Sequence, residues 1–138
     1  MIFPITKINI NDNSGAILAQ CIKILEKSKP KIAGIVADLL VISIKKYTIN
    51  IKAKKIKPLT KGLNKLKGDK ESRIRGLISW TVFKLKRFGN YYINSTNNSI
   101  LILDRQNAPW ATRIYGPVFK EIDKIKTNKA YSLGRHFI

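Results

Sequence analysis

Short apolar segments separated by turn-forming residues are the feature of this sequence that most restricts its fold. Five such segments occur, at residues 6–10, 17–25, 39–44, 76–85 and 99–103. No helical pattern of about 10 to 15 residues separates the strand-like segments, which argues against alternating strand–helix units. The sequence therefore predicts a mostly β fold, a small five-stranded antiparallel β-barrel, because closing the sheet leaves no exposed edge.

The segments differ in the burial they predict. Residues 39–44 (Leu-Leu-Val-Ile-Ser-Ile) are rich in branched side chains, and we expect them to be buried on both faces of the sheet. Cys21 lies in the alternating second segment and is predicted to be a small core hydrophobe rather than a reactive thiol. The polar, Asn-rich residues 90–98 are typical of a hairpin loop.

One helix is predicted near the C-terminus, over about residues 116–126. Pro117 suits a first helical position because its missing N–H would be unpaired there anyway. Val118, Ile122 and Ile125 then recur at i, i+4 and i+7 and form one apolar face. We expect that face to pack against the barrel.

The charge balance is strongly one-sided. The chain has 27 Lys and Arg against 8 Asp and Glu, a formal charge of +19, and nucleic acid is the usual partner of such a surplus. The hydrophobic content of 44% is too high for a disordered basic tail. The longest apolar stretch, residues 32–44, is too short to cross a bilayer and contains Asp38, so no membrane partner is expected.

Residues for enzyme chemistry are scarce. One Cys cannot form an intrachain disulfide or a Cys-rich zinc site, and His136 is the one histidine. The eight carboxylates are scattered and form no recognisable catalytic motif. We therefore predict that the chain is not an enzyme and needs no cofactor or metal.

Residues 45–67 form a basic segment with nine Lys and no acidic residue. We interpret its centre, about residues 47–66, as a hairpin or arm that projects from the barrel. A loop whose lysines served only solubility would normally include acidic residues, because mixed signs relieve repulsion. The absence of acids favours phosphate binding over a solvated loop, with an affinity that falls steeply as salt increases.

Three blocks identify the family that the chain resembles. They are residues 11–16 (Asn-Asp-Asn-Ser-Gly-Ala) followed by 21–25 (Cys-Ile-Lys-Ile-Leu), residues 67–69 (Lys-Gly-Asp), and residues 112–118 (Thr-Arg-Ile-Tyr-Gly-Pro-Val). In this order and spacing, the blocks resemble the universal large-subunit ribosomal protein fourteen family over nearly the whole chain.

The resemblance implies a five-stranded barrel with a projecting hairpin and a C-terminal helical part. It implies binding to large-subunit rRNA at the subunit interface, beside neighbouring large-subunit ribosomal proteins. It also implies contact with small-subunit rRNA across an intersubunit bridge, and a ribosome silencing factor on the C-terminal face.

The predicted contacts fall into two groups. The expected rRNA contacts are Asn13, Ser14, Lys23, Lys45, Lys46, Lys52, Lys54, Lys55, Lys57, Lys61, Lys65, Lys67, Arg73, Arg75, Lys84, Lys86 and Arg87. The expected contacts to a partner protein or to the other subunit are Thr112, Arg113, Tyr115 and Lys120.

Some of these residues have a structural alternative. The turn at Asn13 and Ser14 offers donors to phosphate, or it needs these residues only for its geometry. Arg113 is a phosphate fork or a partner contact, or it pairs with Glu121 or Asp123.

The sequence also departs from the family pattern. Ala37 stands where the family has Gly before Asp38, so a different turn is expected there. The basic segment is longer than the family's hairpin, so its path along RNA cannot be copied from relatives.

A free single-strand nucleic-acid-binding protein of the OB type is the alternative function. It would stack bases on exposed aromatic side chains, with Trp80, Phe83, Tyr91 and Tyr92 as candidates. Trp80 falls in a strand among core positions, which favours the ribosomal interpretation.

Composition favours an organellar origin. The chain has 23 Ile, 21 Lys and 11 Asn, all residues with A/T-rich codons, and it begins without an Arg- and Ser-rich presequence. The long basic segment suggests a remodelled ribosome, so we predict the mitochondrion over a plastid or an A/T-rich bacterium.

Overall fold

The computed structural model describes residues 1–25, 33–47, 74–104, 106–124 and 128–138. The strands are β1 (Lys7–Ile10), β2 (Ala16–Ile24), β3 (Leu39–Tyr47), β4 (Ile74–Trp80), β5 (Leu85–Lys86), β6 (Tyr92–Ile93) and β7 (Ser99–Leu103). A 3-10 helix covers Lys120–Lys124, and a short α-helix, α1, covers Asn128–Leu133. Within these ranges, no helix has the length and apolar content needed to cross a bilayer.

Five strands close into a barrel in the order β1-β2-β3-β4-β7, which confirms the predicted architecture. Four of its pairings are antiparallel, whereas β1 and β7 are parallel. A closed ring with an odd number of strands cannot alternate direction throughout, so one parallel pairing is unavoidable. The parallel pairing of Asn9 with Ser99 brings the residues after β1 close to β7.

Side chains of β7 are buried on both faces because two apolar clusters meet there. Ile100 and Ile102 belong to a cluster with members from all five barrel strands, which is the barrel interior. Leu101 and Leu103 belong to a second cluster that includes Val118 and the C-terminal part of the chain. The C-terminal segment therefore covers the outer face of the barrel, as alternation along a strand requires.

Within the predicted helix over about residues 116–126, the described helical residues are the 3-10 helix Lys120–Lys124, and the helix does not begin at Pro117. Val118 makes an isolated parallel bridge with Phe137, with its N–H donating to the carbonyl of His136 at 2.8 Å. The Val118 carbonyl, which would accept the N–H of Ile122 in an α-helix starting at Pro117, instead accepts the N–H of Ile138 at 3.0 Å, and Ile122 donates to the carbonyl of Phe119 at 3.2 Å. Val118 and Ile122 are nevertheless buried against the barrel, so the predicted apolar face is confirmed for these two residues.

The fourth predicted strand ends earlier than expected. β4 stops at Trp80, where its register with β7 shifts, and Val82 donates its N–H to Asn98 Oδ1 at 3.0 Å. Residues 85–86 instead pair with β6, inside the segment predicted as a loop. The chain thus leaves the barrel after Trp80 and forms a separate hairpin, β5–β6.

Ala37 adopts the left-handed backbone conformation, with φ of 73°. Its N–H donates to the carbonyl of Ile78 at 3.0 Å, and its side chain is buried. The turn therefore takes a conformation that glycine favours, at a cost of about 1–2 kcal/mol for an L-residue. Ala37 therefore differs from the family's Gly by a strained backbone, and the packing of its buried side chain offsets this strain.

Candidate functional site

The first and third sequence blocks lie against each other. Asp12 forms an antiparallel bridge with Ile114, and Asn13 donates its N–H to the carbonyl of Arg113 at 3.2 Å. Tyr115 donates its N–H to the carbonyl of Asn11 at 2.8 Å. The turn after β1 and the segment before the 3-10 helix therefore form one surface, although about a hundred residues separate them along the chain.

The side chain of Asn13 positions the loop that carries Thr112 and Arg113. Asn13 Oδ1 accepts the N–H of Thr112 at 3.1 Å and the N–H of Arg113 at 3.0 Å. Asn13 Nδ2 donates to Thr112 Oγ1 at 3.1 Å. These bonds favour the alternative in which Asn13 serves the geometry of the turn. They also join Asn13, a predicted rRNA contact, to Thr112 and Arg113, which were predicted to contact a partner.

Asp12 supports this arrangement from below the surface. Its buried carboxylate accepts the N–H of Ser14 at 2.8 Å and the N–H of Ile102 in β7 at 2.9 Å. Burial raises the pKa of Asp12 above its ordinary value, while the hydrogen bonds from Ile102 and Ser14 oppose that rise. Asp12 thus connects the turn to the barrel wall.

Asn11 closes the same network. Its Oδ1 accepts a hydrogen bond from Ser79 Oγ at 3.2 Å, and its Nδ2 donates to the carbonyl of Tyr115 at 3.4 Å. Asn11 and Ser79 are both buried. A buried polar pair that is fully hydrogen-bonded favours a single arrangement of the segments it joins.

Most predicted rRNA contacts within the described residues are exposed lysines. They are Lys23, Lys45, Lys46, Lys84 and Lys86. The other predicted cations, seven in the basic segment and one after it, lie outside the described residues: Lys52, Lys54, Lys55, Lys57, Lys61, Lys65, Lys67 and Arg73.

Lys45 and Lys46 lie at the same end of the barrel as the Asn13–Ser14 turn. Lys46 is opposite Leu18, and the next residue, Tyr47, is opposite Ala16, at the start of β2. This part of β3 extends beyond its pairing with β4. The two lysines are therefore next to the turn and at the start of the basic segment.

Two predicted rRNA contacts are arginines with protein partners. Arg75 Nη1 donates to Asn107 Oδ1 at 2.7 Å. Arg87 donates from Nε and Nη2 to the two carboxylate oxygens of Glu121, both at 2.8 Å, and from Nη2 to the main-chain oxygen of Ile138 at 2.6 Å. Glu121, one of the two carboxylates that the sequence offered to Arg113, pairs with Arg87; the Asp123 side chain lies outside the described residues.

Comparison with known proteins identifies the family. The profile of ribosomal protein L14p/L23e matches residues 1–138. The chain belongs to the L14p/L23e family.

Two relatives are similar along most of their length, and both are named large ribosomal subunit protein uL14m. The relative from Acanthamoeba polyphaga is 34% identical over 117 residues, which cover 85% of this chain and 92% of the relative. The relative from Acanthamoeba castellanii is 32% identical over 131 residues, which cover 94% of each chain.

In this L14p/L23e member, the predicted partner residues form an exposed face. Thr112, Arg113, Tyr115 and Lys120 are all exposed. Gly116, between them, has φ of 78° and lies under the ring of Trp80, where an added Cβ would come within 2.9 Å of the ring. The barrel therefore supports this face directly through Trp80.

Sequence reasoning missed the polar network beneath the face. Asn11 and Asp12 belong to the first block, but neither was predicted to hold the third block in place. The sequence did contain a sign of this role: three consecutive Asn or Asp residues follow the first strand, although a tight turn needs fewer.

The one cysteine and the one histidine of the chain lie in different environments. Cys21 is buried in the barrel interior, and burial raises the pKa of its thiol to about 11, which confirms the core assignment. His136 is exposed. Among the described residues, no group of three or more His, Cys, Asp or Glu side chains could hold a metal ion.

Proposed function

We infer that this chain is a structural constituent of the large subunit of the mitochondrial ribosome, where it binds large-subunit rRNA and adjoins other ribosomal proteins. The observation that carries this function is the L14p/L23e match over residues 1–138, together with two relatives named uL14m. The role is structural and not catalytic.

Exposed lysines on the barrel support the proposed rRNA contact. Lys45 and Lys46 lie beside the Asn13–Ser14 turn, and Lys23 is exposed further along β2. Lysine ammonium groups on a rigid β surface neutralise phosphates without reading bases, which suits a folded RNA backbone. The eight further predicted contacts, seven lysines from Lys52 to Lys67 and Arg73, are added to this surface in our proposal from the sequence alone.

The face formed by Thr112, Arg113, Tyr115 and Lys120 is our proposed contact with a partner. Its loop is held by Asn13 and its side chains are exposed, so it presents a fixed surface. We propose that this face meets small-subunit rRNA across an intersubunit bridge and receives a ribosome silencing factor when one is present.

Sedimentation tests the proposed function. A tagged full-length chain is followed through sucrose gradients of a mitochondrial lysate at moderate and high salt. We expect it to sediment with large ribosomal subunits at both. Recovery as a free monomer at moderate salt would overturn the proposal and favour the alternative of a free single-strand-binding protein, which the comparisons do not support.

Charge reversal tests the proposed rRNA surface separately. In filter binding to large-subunit rRNA, the variant Lys45→Glu/Lys46→Glu should bind more weakly, with a salt slope reduced by about 1 for each lost contact. Lys7→Glu/Lys129→Glu, which reverses two exposed lysines outside the proposed surface, is the matched control. Equal losses in the two variants would show a general charge effect and would contradict the surface.

A further inference from the structure

The β5–β6 hairpin is fixed to the body of the protein by one face. Leu85 and Ile93 are opposite each other in the ladder and pack against the second apolar cluster. Arg87, at the end of β5, is held by Glu121. The inner face of the hairpin is therefore committed to the fold.

The tip of the hairpin is a tight turn. The N–H of Arg87 donates to the carbonyl of Tyr91 at 3.1 Å, and only three residues lie between them. Gly89 and Asn90 both have positive φ, at 89° and 62°. Glycine and asparagine are the residues that tolerate this backbone, so the sequence specifies the turn locally.

The outer side of the hairpin carries exposed aromatic rings. Phe88 at the tip is 101% exposed, Tyr91 is 56% exposed and Tyr92 is 58% exposed. Tyr92 is directly opposite Lys86, which is also exposed. Several exposed aromatic side chains close together on a well-held turn are typical of a binding surface.

Charge indicates what that surface binds. Residues 82–98 contain Lys84, Lys86 and Arg87 and no acidic residue. A protein partner would explain the exposed rings but would not explain why every charged residue of the hairpin is cationic. Single-stranded nucleic acid matches both features, because its bases stack on aromatic rings while lysines contact the adjacent phosphates.

We propose that the β5–β6 hairpin binds an unpaired segment of large-subunit rRNA by stacking bases on Phe88 and Tyr92, with Lys84 and Lys86 on neighbouring phosphates. This inference rests on the proposed function. It adds to that function a recognition of unpaired bases, which the exposed lysines of the barrel do not provide.

Ring removal in the full-length protein tests the stacking. The probes are a mixed-sequence single-stranded RNA of about 12 nucleotides and a duplex of the same sequence, with binding followed by fluorescence anisotropy. Phe88→Leu/Tyr92→Leu should weaken binding of the single strand by about tenfold or more with an unchanged salt slope, and should change duplex binding less than about twofold. Tyr91 is left in place because its ring lies beside Gly89 at the turn.

Two controls separate stacking from general effects. Phe3→Leu removes a 46% exposed ring elsewhere and should leave both affinities unchanged. Tyr92→Phe keeps the ring and should retain single-strand binding. Equal single-strand affinity in the wild type and Phe88→Leu/Tyr92→Leu would overturn the proposal, as would equal losses on the single strand and the duplex.

Crosslinking in the assembled particle gives an independent readout. A photoreactive phenylalanine analogue at position 88 should crosslink to rRNA in purified large subunits. Crosslinking to a protein alone would overturn the stacking proposal while the sedimentation result leaves the ribosomal function intact. Absence of the chain from large subunits would instead overturn the proposed function itself.

Discussion

Arg87 and Glu121 form a bidentate ion pair that joins the β5–β6 hairpin to the 3-10 helix of the C-terminal part. Both bonds are 2.8 Å long, and the side chains are only 14% and 25% exposed. The guanidinium carbon also lies 6.0 Å from the centre of the Phe119 ring. The hydrogen bonds to Glu121 raise the pKa of the Arg87 guanidinium, so this group stays charged.

A double-mutant cycle with Arg87→Met and Glu121→Gln measures this pair. We expect a coupling energy of about 1 kcal/mol, above that of most exposed pairs because the geometry is bidentate and partly buried. Urea unfolding of the four proteins gives the value. A coupling energy near zero would mean that the pair contributes nothing to holding the hairpin.

Asn13→Ala tests the loop that supports the partner face. The variant removes the acceptor of the Thr112 and Arg113 N–H groups, and we expect a loss of about 1–2 kcal/mol in the free energy of unfolding. Ser14→Ala is the neighbouring comparison: it removes the long 3.4 Å bond from Ala16 and the side-chain hydrogen bond to Asp12 but leaves both N–H groups of the loop their acceptor, so it should cost less. Asn9→Ala, which removes an exposed amide of β1 outside the turn, is a second control and should cost little. Similar losses in Asn13→Ala and Asn9→Ala would show that the Asn13 side chain does not hold the loop.

Asp12→Asn leaves one N–H donor facing an amide NH2 instead of an oxygen. The N–H groups of Ser14 and Ile102 each bond a different carboxylate oxygen, so one loses its acceptor, and we expect destabilisation by about 1–3 kcal/mol at neutral pH. Thermal unfolding followed by circular dichroism measures the change. A variant as stable as the wild type would contradict the proposed connection between the turn and β7.

The stability gap between the wild type and Asp12→Asn should also depend on pH. Because burial raises the pKa of Asp12 above 3.8, the folded protein binds this proton more readily than the unfolded chain does. The contribution of the Asp12 carboxyl to the free energy of unfolding therefore falls as the pH rises from 3.8 through the raised pKa. Above the raised pKa this contribution is constant. Urea unfolding across this range should show that the difference in the free energy of unfolding between the two proteins becomes smaller as the pH rises. A difference that grows with pH would show that the hydrogen bonds lower the pKa of Asp12 more than burial raises it.

Gly116→Ala tests the contact between the partner face and Trp80. The new Cβ would meet Trp80 Cη2 at 2.9 Å on a backbone with φ of 78°, and we expect a loss of about 1–3 kcal/mol in the free energy of unfolding. Adding Trp80→Phe should relieve the clash but not the backbone strain, so the double variant should lose less than the sum of the two single variants. Strict additivity in denaturant unfolding would argue against the contact.

Local pattern predicted the barrel strands well because alternation and branched side chains act within a few residues. Residues 99–103 were predicted with the bounds that β7 has, and the predicted second and third strands differ from β2 and β3 only at their ends. The predicted helix start at Pro117 is wrong because pattern competed with tertiary pairing: Val118 has the right spacing for a helix, but its carbonyl accepts the N–H of Ile138 and not that of Ile122.

The sequence alone determined the five-stranded scaffold, the cationic surplus and the family, since hydrophobic periodicity, charge and motif spacing are properties of the chain itself. Only the tertiary structure decided that Asn13 holds the loop of Arg113 and that Glu121 belongs to Arg87. Polar partners are chosen by which segments the closed barrel brings within hydrogen-bonding distance. Which segments come that close depends on the packing of the whole barrel and of the C-terminal segment on its outer face. No local pattern encodes this packing.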